Sequence, residues 1–254
     1  EYVFQLPANL PNQLKELSKY IFKNHINDNI LLISRDTIFD IQSKVENLLI
    51  RDSLVIDTIV PDDIFYSDII LSNIDTANIM LEELKVRSDV IDSIYHKLDT
   101  LGMKNVVIIP SNDDVFVTDL LSKLHACRDT NMIVYGMPML SDFNHVSIYD
   151  LMDMKVTFPH NKLFNEREIY DFFIEFSTDH RYIPNFKYSS VGYELGCLFI
   201  DAVSNSSFLN YMSNSHSKTV LGTTYFFEKL SKGGYQNNAT LILQYEKSGF
   251  KIIN

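Results

Sequence analysis

A three-layer α/β fold, a mostly parallel sheet flanked by helices, is predicted by three features of this sequence. Short apolar runs of strand length alternate with longer stretches of helical periodicity. The strand runs are apolar at consecutive positions, as strands covered on both faces are. Pro, Gly, Asn and Asp punctuate the junctions.

The elements follow in order. Pro11 suits the first turn of a helix, and Leu14, Leu17 and Ile21 then recur on one face. Residues 29–33 form a buried strand. Asp36 or Thr37 caps a helix whose stripe is Ile38, Ile41, Val45, Leu48 and Leu49. Residues 54–60 read as the next strand. Residues 61–85 are rich in Asp and Ile and hold no clear cap, so an insertion or irregular crossover is expected there. Residues 89–101 read as a helix with Val90, Ile94 and Leu98 inward, ended by Gly102. A strand at 105–109 is closed by Pro110. A helix at 113–126 turns Val117, Leu120, Leu121 and Leu124 inward. A strand at 132–135 is closed by Gly136.

The second half changes character. Residues 165–180 form a helix weighted with Tyr170, Phe172, Phe173 and Phe176. Residues 191–203 are apolar on nearly every side, which predicts a helix buried all round. After Gly222 the pattern turns to strands at 225–230, 240–245 and 250–253. Gly233-Gly234 and Ser248-Gly249 supply the turns, and the chain is expected to end in a β meander.

Composition narrows the function. The 254 residues are 46% hydrophobic and 22% charged, which suffices for a sizeable core. A formal net charge of -11 argues against nucleic acid or an anionic membrane surface as partner, because both need a basic footprint. No apolar run reaches the roughly 18 residues that would suggest a membrane span. The opening Glu-Tyr-Val-Phe carries no leader pattern and reads as the middle of a fold. Cys127 and Cys197 read as two buried free thiols, although one disulfide would also account for them.

The chain carries none of the common catalytic sequence patterns. The eight glycines form neither G-x-G-x-x-G nor a P-loop, and no G-x-S-x-G occurs. The seven histidines show no metal-ligand spacing, and neither metal nor cofactor is expected. His25, His96, His125 and His180 fall near helix C-termini, where positive charge is favourable. These patterns point away from an enzyme.

One constellation is suited to binding. Parallel sheets take ligands outside the carboxyl ends of their strands. Ser34, Arg35 and Asp36 follow the first strand. Ser111, Asn112, Asp113 and Asp114 follow the strand at 105–109. Gly136, Met137, Pro138 and Met139 follow the strand at 132–135. Hydroxyl, amide, guanidinium and thioether groups together suit a small polar ligand, neutral or cationic in view of the carboxylates. Helix capping would also account for Asp36, Asn112 and Asp113.

Several segments, in this order, resemble the type I periplasmic solute-binding proteins, the branched-chain amino-acid-binding class. They are Tyr2-Val-Phe-Gln5 followed by Leu14-x-x-Leu17-x-x-Tyr20-Ile21; Asn105-Val-Val-Ile-Ile-Pro-Ser-Asn112; Val134-Tyr-Gly-Met-Pro138; Lys187-Tyr-Ser-Ser-Val-Gly-Tyr-Glu-Leu-Gly196; and the stretch from Phe227 to Asn238 with the closing Leu243-Gln-Tyr-Glu246. The last is similar to closing strands in Bacteroidetes members, lipoprotein-like relatives in which a LysM module often lies upstream. The resemblance implies a two-lobed clamshell serving an ABC transporter, located in the periplasm or cell envelope, with lipid anchoring through an N-terminal region absent here.

On that resemblance, residues 1–158 are lobe two, residues 159–220 are helices belonging to lobe one, and residues 221–254 are strands returning to lobe two. Most of the first lobe is missing, so Phe172, Phe173, Phe176, Leu198 and Phe199 are expected to form an apolar patch. Self-association or a missing N-terminal segment would cover it. The family's ligand contacts map near Phe39, Asn112, Asp113 and Met139, where the amino-acid-binding residue types are largely absent. The candidate ligand-binding set is therefore Ser34, Arg35, Asp36, Phe39, Ser111, Asn112, Asp113 and Met139, for a small polar solute or a peptide-like ligand. A ligand-free interaction module in envelope or cell-wall assembly is the alternative.

Overall fold

The computed structural model describes residues 3–36, 62–73, 79–126, 131–143, 145–163, 166–204, 218–247 and 249–254. The helix expected from Ile38, the strand at 54–60, Phe39 and Cys127 lie outside the described residues. Two compact units are present. One joins residues 1–13 and 160–241, and the other joins residues 14–159 and 242–254, so the chain crosses between them three times. Residues 221–241 group with the helices at 166–204.

The larger unit is built on a seven-stranded sheet. Its strands are β2 (Asn29–Arg35), β3 (Leu81–Val86), β4 (Asn105–Ile108), β5 (Met132–Tyr135), β6 (Thr157–His160), β11 (Leu241–Glu246) and β12 (Gly249–Ile252), in the order β12-β11-β6-β5-β4-β2-β3. From β3 to β6 all neighbours are parallel, with Asn29 opposite Asn105 and Ile108 opposite Tyr135. Helices α1 (Leu10–Asn24), α2 (Asp62–Ser72), α3 (Asp114–Ala126) and α4 (Ile148–Asp153) accompany the sheet. Ile30 to Ile33 and Val106 to Ile109 have no exposed surface. Such complete burial is why these strands read as unbroken apolar runs. Leu14, Leu17 and Ile21 of α1 and Leu120 and Leu121 of α3 are equally buried, as their spacing predicts.

Two expectations are corrected here. Residues 61–85 are no irregular insertion: they contain α2 and the edge strand β3. The strand Leu-Glu-Glu-Leu-Lys-Val was missed because, among the described residues, it pairs with β2 alone, and an edge strand can carry charges where a central strand cannot. Its Leu81 and Leu84 also mimic helical spacing. The second concerns the helix expected over 89–101, which is a 3-10 helix over Ser88–Lys97 and so ends before Gly102.

The smaller unit holds β1 (Phe4–Ala8), β9 (Phe227–Lys229) and β10 (Tyr235–Asn237) in one sheet, with β1 parallel and β9 antiparallel to the central β10. A hairpin of β7 (Lys218–Val220) and β8 (Thr223–Tyr225) lies in the same unit. Leu221 and Gly222 make its turn, both with positive φ. The C-terminal strands foreseen after Gly222 are thus present, divided between the two units.

Helices α5 (Glu166–His180) and α6 (Phe186–Ser204) complete the smaller unit. Helix α6 is not buried all round. Leu198 and Ala202 pack into a core with Tyr225, Phe227 and Tyr235, joined by Phe4, Leu6 and Phe199. The Phe4 ring stacks on Tyr235, with centroids 4.7 Å apart. Val191, Ile200 and Val203, on other faces of α6, are exposed. The expected patch also has a different membership. Phe172 and Leu198 are buried, while Tyr170, Ile174, Tyr188, Ile200 and Val203 are exposed. A helix richer in apolar residues than its one packing face can hide leaves the surplus outside.

Candidate functional site

Parallel strands share a direction, so their carboxyl ends share an edge. Ser34 and Arg35 are the last residues of β2, and Asp36 follows. The Asp36 N–H donates to the Val86 carbonyl at the end of β3, 2.9 Å away. Beyond β4, the Ile109 N–H donates to the Tyr135 carbonyl at 2.8 Å, which holds this loop in register for one more residue. Ser111, Asn112 and Asp113 come next, and α3 begins at Asp114.

The structure joins several of these residues directly. The Arg35 guanidinium pairs with one carboxylate oxygen of Asp113. The other oxygen accepts the Phe116 N–H at 2.9 Å and caps α3. The Asp113 N–H donates to Ser111 Oγ at 3.2 Å. Capping and pairing are thus two uses of one carboxylate. Asn112 Nδ2 donates to the Tyr66 hydroxyl at 2.9 Å. Asn112 Oδ1 is buried and accepts no hydrogen bond. Ser34 and Ser111 are buried beside this group, whereas Met139, on the 3-10 turn Pro138–Asp142 after β5, is 47% exposed and outside the hydrogen-bonded set. Tyr66 was not foreseen. It lies on α2, where the sequence carries no cap or stripe that would mark a helix.

The charge balance of this edge matters chemically. Among the described residues that end or follow β2, β3 and β4, Asp36, Asp113 and Asp114 supply three carboxylates, and Arg35 and Arg87 supply two guanidinium groups. Arg35 and Asp113 neutralise each other. Asp114 Oδ2 lies 3.9 Å from His145, whose side chain is largely exposed.

Two other polar groups are structural. In the smaller unit, Lys162 Nζ bonds Glu194 Oε1 at 2.8 Å, and the Tyr225 hydroxyl donates to Glu194 Oε2 at 2.9 Å. Burial, and then the Glu194 carboxylate, push the Tyr225 phenol well above its ordinary value. In the larger unit, His25 lies between Asp28 (2.6 Å) and the Tyr135 hydroxyl (2.8 Å). This chain has the order of a proton relay. However, His25 is 5% and Tyr135 1% exposed, which leaves a substrate no access to the phenol. Burial is also the main cause that raises the Tyr135 pKa, with Tyr20 and Asp28 adding to it. Cys197 is a free, partly buried thiol. Among the described residues no group of three or more His, Cys, Asp and Glu is placed to hold a metal ion, and no helix is long and apolar enough to cross a membrane.

No protein-family model matches the sequence, and no curated protein matches it significantly. Solved structures do share the fold. A branched-chain amino acid ABC transporter periplasmic ligand-binding protein from Burkholderia xenovorans superposes with a TM-score of 0.54 at 11% identity, covering 98% of this chain and 64% of its own. An extracellular ligand-binding receptor from Verminephrobacter eiseniae gives 0.51 at 10% identity, covering 99% and 67%. A fatty acid ABC transporter substrate-binding protein from Thermomonospora curvata gives 0.50 at 8% identity, covering 100% and 64%. The chain therefore has the α/β fold of periplasmic ligand-binding proteins and spans about two thirds of their length.

Proposed function

We propose that this chain is a solute-binding module of the periplasm or cell envelope, related in role to the substrate-binding proteins of ABC transporters and not an enzyme. The observation that carries this reading is the hydrogen-bonded group Arg35, Ser111, Asn112 and Asp113 at the carboxyl edge of the parallel sheet, where such sheets take ligands. Ser34, Asp36 and Met139 border the same edge, and Phe39 follows it in sequence. The fold shared with ligand-binding receptors supports the reading. A lipid anchor and an upstream LysM module, as in the Bacteroidetes proteins it resembles, belong to the same proposal. Thermal-shift screening with amino acids, short peptides and muropeptide fragments tests it: a ligand at a hundred times its Kd adds about 2.7 kcal/mol of stability. The shift should vanish in Arg35→Met. A panel without any shift would defeat the reading.

A second reading, a protein-interaction module, draws on the exposed Tyr170, Ile174, Tyr188, Ile200 and Val203 of α5 and α6. Self-association, or an additional N-terminal segment, would cover this face. Light scattering of the chain decides: a monodisperse monomer with no bound segment counts against it.

A further inference from the structure

We propose that the exposed flank of helices α5 and α6 docks a basic amphipathic helix of a partner protein, an inference independent of the solute-binding reading above. Helix α6 turns Ser190, Glu194, Leu198 and Ala202 into the smaller unit, where all four are buried. Gly192, Gly196, Ile200 and Val203 follow the same helical spacing on another side. There Tyr193 is 44%, Ile200 68% and Val203 73% exposed. Neither Gly192 nor Gly196 has positive φ, and a Cβ placed on either would meet nothing within 4 Å. No turn and no neighbour in the unit therefore calls for glycine here, although glycine weakens a helix interior. Two glycines one turn apart do let another backbone come close. They form an open floor edged by exposed apolar side chains.

Charge names the occupant. Tyr193 links this floor to α5: its ring lies 5.1 Å from that of Phe172. Its phenol is pushed up by Cys197, then by burial, and then by the Glu175 carboxylate, which lies on the same side. Asp171, Glu175 and Asp179 recur every fourth residue along α5, and all three are exposed. Among the described side chains of the two helices and the residue after α5, the exposed charges are Glu168, Asp171, Glu175, Asp179 and Asp201 against Arg167 and Arg181, with His180 beside the latter. The two arginines sit at the ends of α5, so its middle is acidic. A helix lying along Gly192 and Gly196 meets apolar side chains beneath it and carboxylates beside it. A basic amphipathic helix complements both. A second copy of the chain does not: a two-fold contact would bring the same carboxylates from both sides, between chains that each carry a formal net charge of -11.

The probe is a synthetic helical peptide with Leu on one face and Lys on the other, and a control peptide carries Glu in place of Lys. Fluorescence anisotropy with the whole chain should show the Lys peptide binding at least about tenfold tighter than the Glu peptide, and less tightly as salt rises. Gly192→Leu with Gly196→Leu fills the floor with better helix formers, so thermal stability should hold or rise while affinity falls at least about tenfold. Asp171→Asn with Glu175→Gln should cost a similar factor. Glu83→Gln with Asp119→Asn, the same change of charge in the larger unit, should cost less than about twofold. No binding of the Lys peptide, equal losses in the two charge-neutralised variants, or full affinity in the double leucine variant would each overturn the inference. So would a Val203→Cys thiol that a maleimide fails to reach in the free chain, read at that residue by mass spectrometry, because the chain itself would then cover the face. A dimer in light scattering that the two leucines abolish would overturn it in favour of a second copy.

Discussion

Asn237 is the most exacting position for a stability test. Its side chain has no exposed surface and makes three hydrogen bonds within the smaller unit. Oδ1 accepts the N–H groups of Phe226 and Ala239, each at 3.0 Å, and Nδ2 donates to the Leu6 carbonyl at 2.9 Å. One amide thus joins β1, the residue between β8 and β9, and the turn after β10. In Asn237→Ala two N–H groups and one carbonyl lose their partner. A buried group left unsatisfied costs about 1–3 kcal/mol. Ala239 is buried, while Phe226 and Leu6 are partly exposed and can recruit water. The expected loss is therefore about 3 kcal/mol, below the full sum and still more than a hundredfold in the unfolding equilibrium. Urea unfolding followed by tyrosine fluorescence measures it. Hydrogen exchange supplies the local signature: the Phe226 and Ala239 amides should lose protection, along with the β1–β10 ladder. A loss below about 0.5 kcal/mol, the level of an ordinary surface substitution, would refute this account of Asn237.

Two further outcomes are expected. Glu194→Ala should destabilise the smaller unit by about 3–5 kcal/mol, because it strands Lys162 beside the Tyr225 hydroxyl. The double variant Lys162→Met with Glu194→Met should lose clearly less than the two single changes together, as a double-mutant cycle in denaturant would show. Tyr245, whose phenol is pushed up to about 12 by burial and then by the Asp142 carboxylate, should make the larger unit alkali-sensitive. A raised folded-state value means that this stability is fully present below the unfolded value near 10 and is lost as pH climbs toward 12. The loss is about 3 kcal/mol, and Tyr245→Phe should remove that part of the pH dependence in unfolding titrations.

The central sheet was legible in the sequence for a definite reason. Ile30 to Ile33 and Val106 to Ile109 must be apolar at every position because both sheet faces are covered, and α1 and α3 must carry a stripe because one face is. The edge residues Ser34, Arg35, Ser111, Asn112 and Asp113 followed, since the ends of parallel strands can be counted along the chain. Tertiary structure alone decided the rest. The strand β3 lacks an apolar run because it lies at the edge of the sheet the described residues form. Tyr66 reaches Asn112 from a helix without amphipathic pattern. The pairing of Arg35 with Asp113, 78 positions apart, depends on two strands lying side by side. The same holds in the smaller unit, where β1 pairs with β10 from the opposite end of the chain and Asn237 holds Leu6. Local sequence encodes which faces are apolar and where strands end, through periodicity and turn chemistry. It does not encode which distant polar groups meet, because the fold as a whole selects those partners.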